Sequence, residues 1–154
     1  MLLCAVMSVK HVGVKDARNL QTDEGYTYVD VRSTPEYDSG HPAGALNVPL
    51  LHLDPATRQM QPNLDFLAVF KATQAADAKL LIGCQMGGRS QRAAEILAAA
   101  GYTDVSNVLG GFGGARDRAT GAVVHEGWAE AGLPVETAAT PGGSYDEQRA
   151  KMKG

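Results

Sequence analysis

Residues 79–101, KLLIGCQMGGRSQRAAEILAAAG, constrain the fold more than any other stretch of the chain. The apolar run at 80–84 suits a strand covered on both faces, as strands of parallel sheets are. Two glycines and an arginine follow, and from 89 to 100 the pattern turns helical. Ala93, Ile96, Leu97 and Ala100 fall on one stripe, and Gly101 stops it. A parallel neighbour cannot be reached through a tight hairpin; it needs a crossover, which such a helix supplies.

The same alternation recurs along the chain. Strands are expected in HVGV (11–14), GYTYVDVRS (25–33), ALNV (45–48) and YTDVSNVLGG (102–111). Helices are expected in VKDARNL, in 64–77 from the spacing of Leu64, Leu67, Phe70 and Ala75, and in HEGWAEAGLP before Gly132 and Pro134. LHLDPATRQMQPN reads as a long connection punctuated by proline. These elements predict an α/β fold with a parallel sheet. Residues 9–135 form the expected domain, and 136–154 a polar, Gly/Ser-rich tail that is mobile or docks loosely.

A chain of 154 residues suffices for one domain with a real core. A net charge of −3 and a pI near 5.7 give no basic surplus for nucleic acid or an anionic membrane. No apolar run approaches the roughly 20 residues of a membrane span. The start, MLLCAVMSVK, has no basic leader or small-residue cleavage site and is not read as a secretion signal. Two cysteines, Cys4 and Cys84, make a poor disulfide framework, so a cytoplasmic setting with free thiols is expected. His11 and His52 have no partners at ligand spacing, and neither a metal nor a cofactor is expected.

Ligands of open parallel sheets bind at the carboxyl ends of the strands. Three marked stretches fall there: Asp30 with Arg32, residues 84–90, and Gly110 with Gly111. Within 84–90, CQMGGRS favours a thiolate, which is the nucleophilic form of cysteine. Gly87 and Gly88 let the backbone turn successive N–H groups inward as an anion nest. The helix that starts near Arg89 points its positive end at the same place, and Arg89 adds a permanent charge. Cys84 could instead be a buried residue at a strand end, as free cysteines often are, but the order of glycines, arginine and helix favours the reactive reading. Cys4 lacks glycines and cations nearby and reads as structural or incidental.

CQMGGRS, preceded by YVDVRSTPEYDSGHPAGALNVPL and followed by GYTDVSNVLGGF and GWAEAGLPV, resembles a single-domain rhodanese, a thiosulfate sulfurtransferase. The resemblance implies a three-layer sandwich with a central parallel sheet and helices on both faces. It implies that Cys84 takes sulfur from thiosulfate or a persulfide and carries it as a persulfide. A thiol, or cyanide in vitro, then removes that sulfur; thioredoxin or a sulfur-carrier protein would be partners. The backbone of Gln85, Met86, Gly87, Gly88, Arg89 and Ser90 would cradle the sulfur, with Arg89 closing the loop. Asp30 would brace the loop, and His41 would be a turn element and not a base. Arg32 either shapes the pocket mouth or forms an exposed pair with Glu36.

Two alternatives remain at this level. One is an idle rhodanese-like binding module, the other a cysteine phosphatase or arsenate reductase. Cysteine phosphatases place one residue more between cysteine and arginine than the four found here. The shorter ring suits a sulfur atom better than a phosphoryl group. The family pattern brings a tryptophan soon after Gly-Gly-aromatic, whereas here fifteen residues, GGARDRATGAVVHEG, separate Phe112 from Trp128. That insertion carries Arg116, Arg118 and His125. It is expected either at the pocket rim or as a solvated loop whose Asp117 and Glu126 neutralise the arginines.

Overall fold

The computed structural model describes residues 9–152; Cys4 and the apolar start lie outside the described residues. A five-stranded, all-parallel sheet occupies the centre. Its strands are β1 (Lys10–Val12), β2 (Thr27–Asp30), β4 (Leu46–Asn47), β7 (Leu80–Gly83) and β8 (Val105–Val108), in the order β1-β8-β7-β2-β4. β7 is the middle strand, and all four of its residues are buried. That burial explains its unbroken apolar sequence.

Side-chain alternation divides the core between two faces. On one, Val29, Leu80, Ile82 and Cys84 pack with α3 (Phe66–Thr73) and α4 (Gly88–Ala99). On the other, Tyr28 and Leu81 meet α1 (Val14–Asp23), Tyr37 of α2 (Thr34–Ser39) and Trp128. Helices therefore cover both faces of the sheet. Complete burial of a large apolar side chain contributes about 1.5–3 kcal/mol, so β7 anchors both layers.

Small antiparallel pairs decorate this frame. The expected connection after residue 50 is a hairpin of β5 (Leu51–Leu53) and β6 (Met60–Pro62). β3 (His41–Pro42) pairs with β11 (Val135–Glu136). The insertion after Phe112 forms β9 (Ala115–Arg116) and β10 (Val123–His125).

Three expectations are corrected. The helix predicted over 64–77 is only α3; Leu64 precedes it and is 93% exposed. The helix expected around Trp128 is a tight turn. Ala131 N donates to Gly127 O at 3.0 Å and Gly132 N to Ala129 O at 3.1 Å, but Gly132, at φ +75°, and Pro134 stop it after one turn, while Trp128 N and Ala129 N tie it to Gly111 O and Phe112 O. The tail is docked as well as polar. Ser144 and Glu147 form a capping box that starts α5 (Tyr145–Ala150). Tyr145 enters the core cluster, where its hydroxyl accepts from Asn63 Nδ2 at 2.9 Å.

Replacing Tyr145 tests this docking. Tyr145→Ala should lower the free energy of urea unfolding by about 3 kcal/mol, the loss of a buried aromatic. Tyr145→Phe should cost only about 1 kcal/mol, the net worth of one hydrogen bond. Equal, negligible effects would place the tail off the core.

Candidate active site

Cys84 follows the last residue of β7, and the chain turns at once into α4. Gly87 makes that turn possible: it sits at φ +122°, where a side chain would be strained. Its N–H donates to Cys84 Sγ at 3.1 Å. The helix begins at Gly88, so the first N–H groups of α4 are not used by its own ladder. They lie just beyond the buried sulfur in sequence and carry the positive end of the helix dipole.

The glycines after β8 form the other side of the loop. Phe112 N donates to Cys84 O at 2.8 Å, and Gly113 N to Gln85 O at 2.9 Å. Gly111 adopts φ +56°, and a Cβ there would overlap the Cys84 carbonyl. This close backbone approach requires glycine.

The third contributor is the end of β2. Asp30 pairs in register with Gly83, next to Cys84. Arg32 and Asp30 are both buried and form an ion pair at 2.7 Å. Arg32 Nη2 also donates to Gly40 O at 2.6 Å, Nη1 reaches Gln85 Oε1 at 3.3 Å, and the guanidinium lies 4.5 Å from the Phe112 ring centroid. Asn47 Nδ2 holds the same corner through the carbonyls of Asp30 and Arg32. Burial pushes the Asp30 carboxyl above its ordinary range, against the hydrogen bonds and charge of Arg32. The expected exposed pair with Glu36 is corrected: Arg32 is buried, and its carboxylate is Asp30.

Glu36 belongs to Arg89. The two make a bidentate pair at 2.8 and 2.9 Å, the geometry that suits guanidinium and carboxylate best. Glu36 Oε1 also accepts from Ser33 N and Oγ, closing the start of α2. Burial alone would raise this carboxyl. The Arg89 and Ser33 hydrogen bonds and the Arg89 charge outweigh it and hold the group at about 2. The guanidinium of Arg89 is thus engaged by Glu36, a contact the sequence reading did not anticipate. Ser90 is fully buried; its hydroxyl donates to Asn107 Oδ1 at 2.6 Å and lies 3.1 Å from Gly87 O. It anchors the loop from below. Met86 is half-exposed at the rim.

Among the described residues, the side chains of Arg116, Arg118 and His125 make no hydrogen bond or ion pair with residues 84–90. Arg116 pairs with Glu130, and Glu126 lies 3.6 Å from Lys15. Asp117 accepts from the N–H groups of Ala119 and Thr120, so it shapes the hairpin turn instead of neutralising an arginine. Arg118 is exposed, and His125 lines a separate depression with Gly13, Lys15 and Leu109. His41 is buried, stacked on Tyr37 at 3.7 Å, with Nδ1 2.8 Å from the Tyr37 carbonyl oxygen.

Residues 13–117 match the model of the rhodanese-like domain. The chain belongs to that family. It is 34% identical over 112 residues to thiosulfate sulfurtransferase 16, chloroplastic, of Arabidopsis thaliana, covering 73% of this chain and 81% of that protein. It is 34% identical over 103 residues to the human thiosulfate:glutathione sulfurtransferase, covering 66% and 88%. Three further relatives from Raphanus sativus and Arabidopsis thaliana are longer, and the match spans 60, 64 and 66% of them. Among solved structures, the Rv0390 protein of M. tuberculosis superposes with a TM-score of 0.65 at 26% identity, covering 84% of this chain and 98% of that one. In this rhodanese-like domain, the turn from β7 to α4 is where the three loops meet.

Two predictions follow from the charges. The Glu36 carboxyl titrates lower in the folded chain than unfolded, so its stabilisation is complete above about pH 4.5 and fades as pH falls towards 2. The urea midpoints of the wild type and Glu36→Gln should differ at pH 6 and converge over that acidic window; a gap that persists below it would show that the ion pair is not its source. Arg116→Ala with Arg118→Ala should leave the rate and KM of the domain's sulfur transfer unchanged within about twofold, since Arg116 is paired with Glu130 and neither side chain bonds to residues 84–90 among the described residues. A large rise in KM would return these arginines to the pocket rim.

Proposed function

We propose that this domain is a sulfurtransferase that carries sulfane sulfur on Cys84, taking it from thiosulfate or a persulfide and giving it to a thiol, or to cyanide in vitro. The observation that carries this reading is the Gly87 N–H donated to the buried Sγ of Cys84, within a loop of four residues before Arg89. The names of the Arabidopsis and human relatives support it.

The chemistry needs two displacements at sulfur. The Cys84 thiolate attacks the outer sulfur of thiosulfate; the S–S bond of the donor breaks, and sulfite leaves with its electron pair. The negative charge now rests on the terminal sulfur of a Cys84 persulfide. Backbone N–H groups at 85–90 stabilise that charge, because oriented amides and a helix start favour an anion without any proton transfer. An acceptor thiolate or cyanide then attacks the terminal sulfur, forming a new persulfide or thiocyanate and restoring the Cys84 thiolate. No step calls for a general acid, since sulfite leaves as an anion.

In this scheme Asp30 and Arg32 are positioning residues. They fix Gln85 and the Phe112 loop without touching the sulfur. Arg89 acts through its charge and by closing the loop onto Glu36.

Incubation with thiosulfate should add the mass of one sulfur atom to the Cys84-containing peptide, and cyanide should then release thiocyanate. Cys84→Ser should lose both signals while keeping its unfolding midpoint. Thiocyanate formation that survives in Cys84→Ser would overturn the assignment.

A further inference from the structure

A groove of about 630 Å³ opens beside the Cys84 loop, with Gly88 and Arg89 among its lining residues. Leu50, Phe66, Leu67 and Ile96 give it an apolar surface, continued by the β5–β6 hairpin through Leu51 and Pro62. Two arginines lie on it. Arg89 is held in a bidentate pair by Glu36. Arg92 is exposed and makes no ion pair among the described residues.

The apolar surface extends beyond the groove. Leu64 lines it yet is 93% exposed, so its side chain contributes almost nothing to the core. Met86, on the Cys84 loop, is 53% exposed. Single exposed apolar residues are ordinary, but Leu64 stands on the wall of an apolar groove beside the Cys84 loop, and such a surface marks a contact site. Methionine and arginine are also enriched at protein interfaces. Thiosulfate is small, doubly charged and strongly hydrated, and it gains nothing from leucine and phenylalanine.

We infer that this groove docks a cysteine-bearing segment of an acceptor protein, with an apolar side chain against Leu64 and Ile96 and a carboxylate on Arg92. The segment's thiol is then presented at the mouth of the Cys84 loop. Charge complementarity selects the occupant: a cation left without an ion pair at the edge of an apolar surface favours an acidic partner. The inference rests on the sulfur-transfer reading, and it names the class of acceptor.

Two end-blocked peptides serve as probes, Leu-Leu-Cys-Gly-Asp-Glu and Ser-Ser-Cys-Gly-Asn-Gln. With thiosulfate-loaded protein, the first should discharge the Cys84 persulfide about tenfold faster, a difference of about 1.4 kcal/mol. Leu64→Asp and Arg92→Glu, both at exposed positions, should each bring the two rates together while thiocyanate formation from cyanide stays unchanged. A second arm needs no turnover. A fluorescent Ser-for-Cys version of the first peptide should bind the Cys84→Ser protein, and bind more weakly once either groove substitution is added. Equal discharge by both peptides, or binding indifferent to both substitutions, overturns the docking site. Absence of thiocyanate overturns the sulfur-transfer reading instead, and the binding arm still decides the groove.

Discussion

The buried pair of Asp30 and Arg32 is the interaction on which the site depends. One guanidinium is bonded at once to the end of β2, to the Gly40 carbonyl and to the Gln85 side chain, and it lies over Phe112. Those groups belong to loops far apart in sequence. A buried ion pair is poor evidence for net stability, because desolvation offsets the attraction. Its value here is geometric. Removing one partner would leave an uncompensated charge in the core and free three loop ends together.

With those loops fixed, the electrostatics around the sulfur is largely that of the backbone. Gly87 N–H reaches Sγ directly, and α4 begins one residue later. Arg89 contributes a charge whose hydrogen bonds are already committed to Glu36. Backbone amides held by a turn and a helix start need no reorganisation when the sulfur becomes charged, which is the advantage of a preorganised site. Gly87 and Gly111 are two of the places where this design excludes side chains. One permits the turn, and the other lets the β8 loop press against the Cys84 carbonyl.

The sequence made the frame legible because periodicity and glycine placement report local geometry. The strand at 80–83, the turn and α4 stand where the pattern puts them, and the three loops converge as the parallel topology requires. Partners distant in sequence were not legible. The spacing of Glu36 from Arg89 carries no periodic signal, though S-T-P-E at 33–36 marks a capping box whose glutamate could have been noticed. S-Y-D-E at 144–147 is a second such box, hidden by a polar, glycine-rich neighbourhood, and it starts the helix that docks the tail. Composition predicted solvent there because composition is blind to a single buried tyrosine. The turn at Trp128 carries a helical pattern, but Gly132 at φ +75° and Pro134 end it before a second turn can form.

Arg89 and Arg92 stand one turn apart on α4, a spacing that puts side chains on neighbouring parts of one face. Their environments divide the labour of that face. Arg89 is half-buried and bidentate with Glu36, so it ties α4 to α2 and has little freedom to follow a ligand. Arg92 is exposed and unpaired among the described residues, at the border of an apolar groove. A guanidinium already satisfied by the fold sets shape, whereas one left to solvent retains its attraction for an incoming carboxylate. On the proposed docking, the same helix would hold the Cys84 loop rigid at its first turn and discriminate among partners at its second.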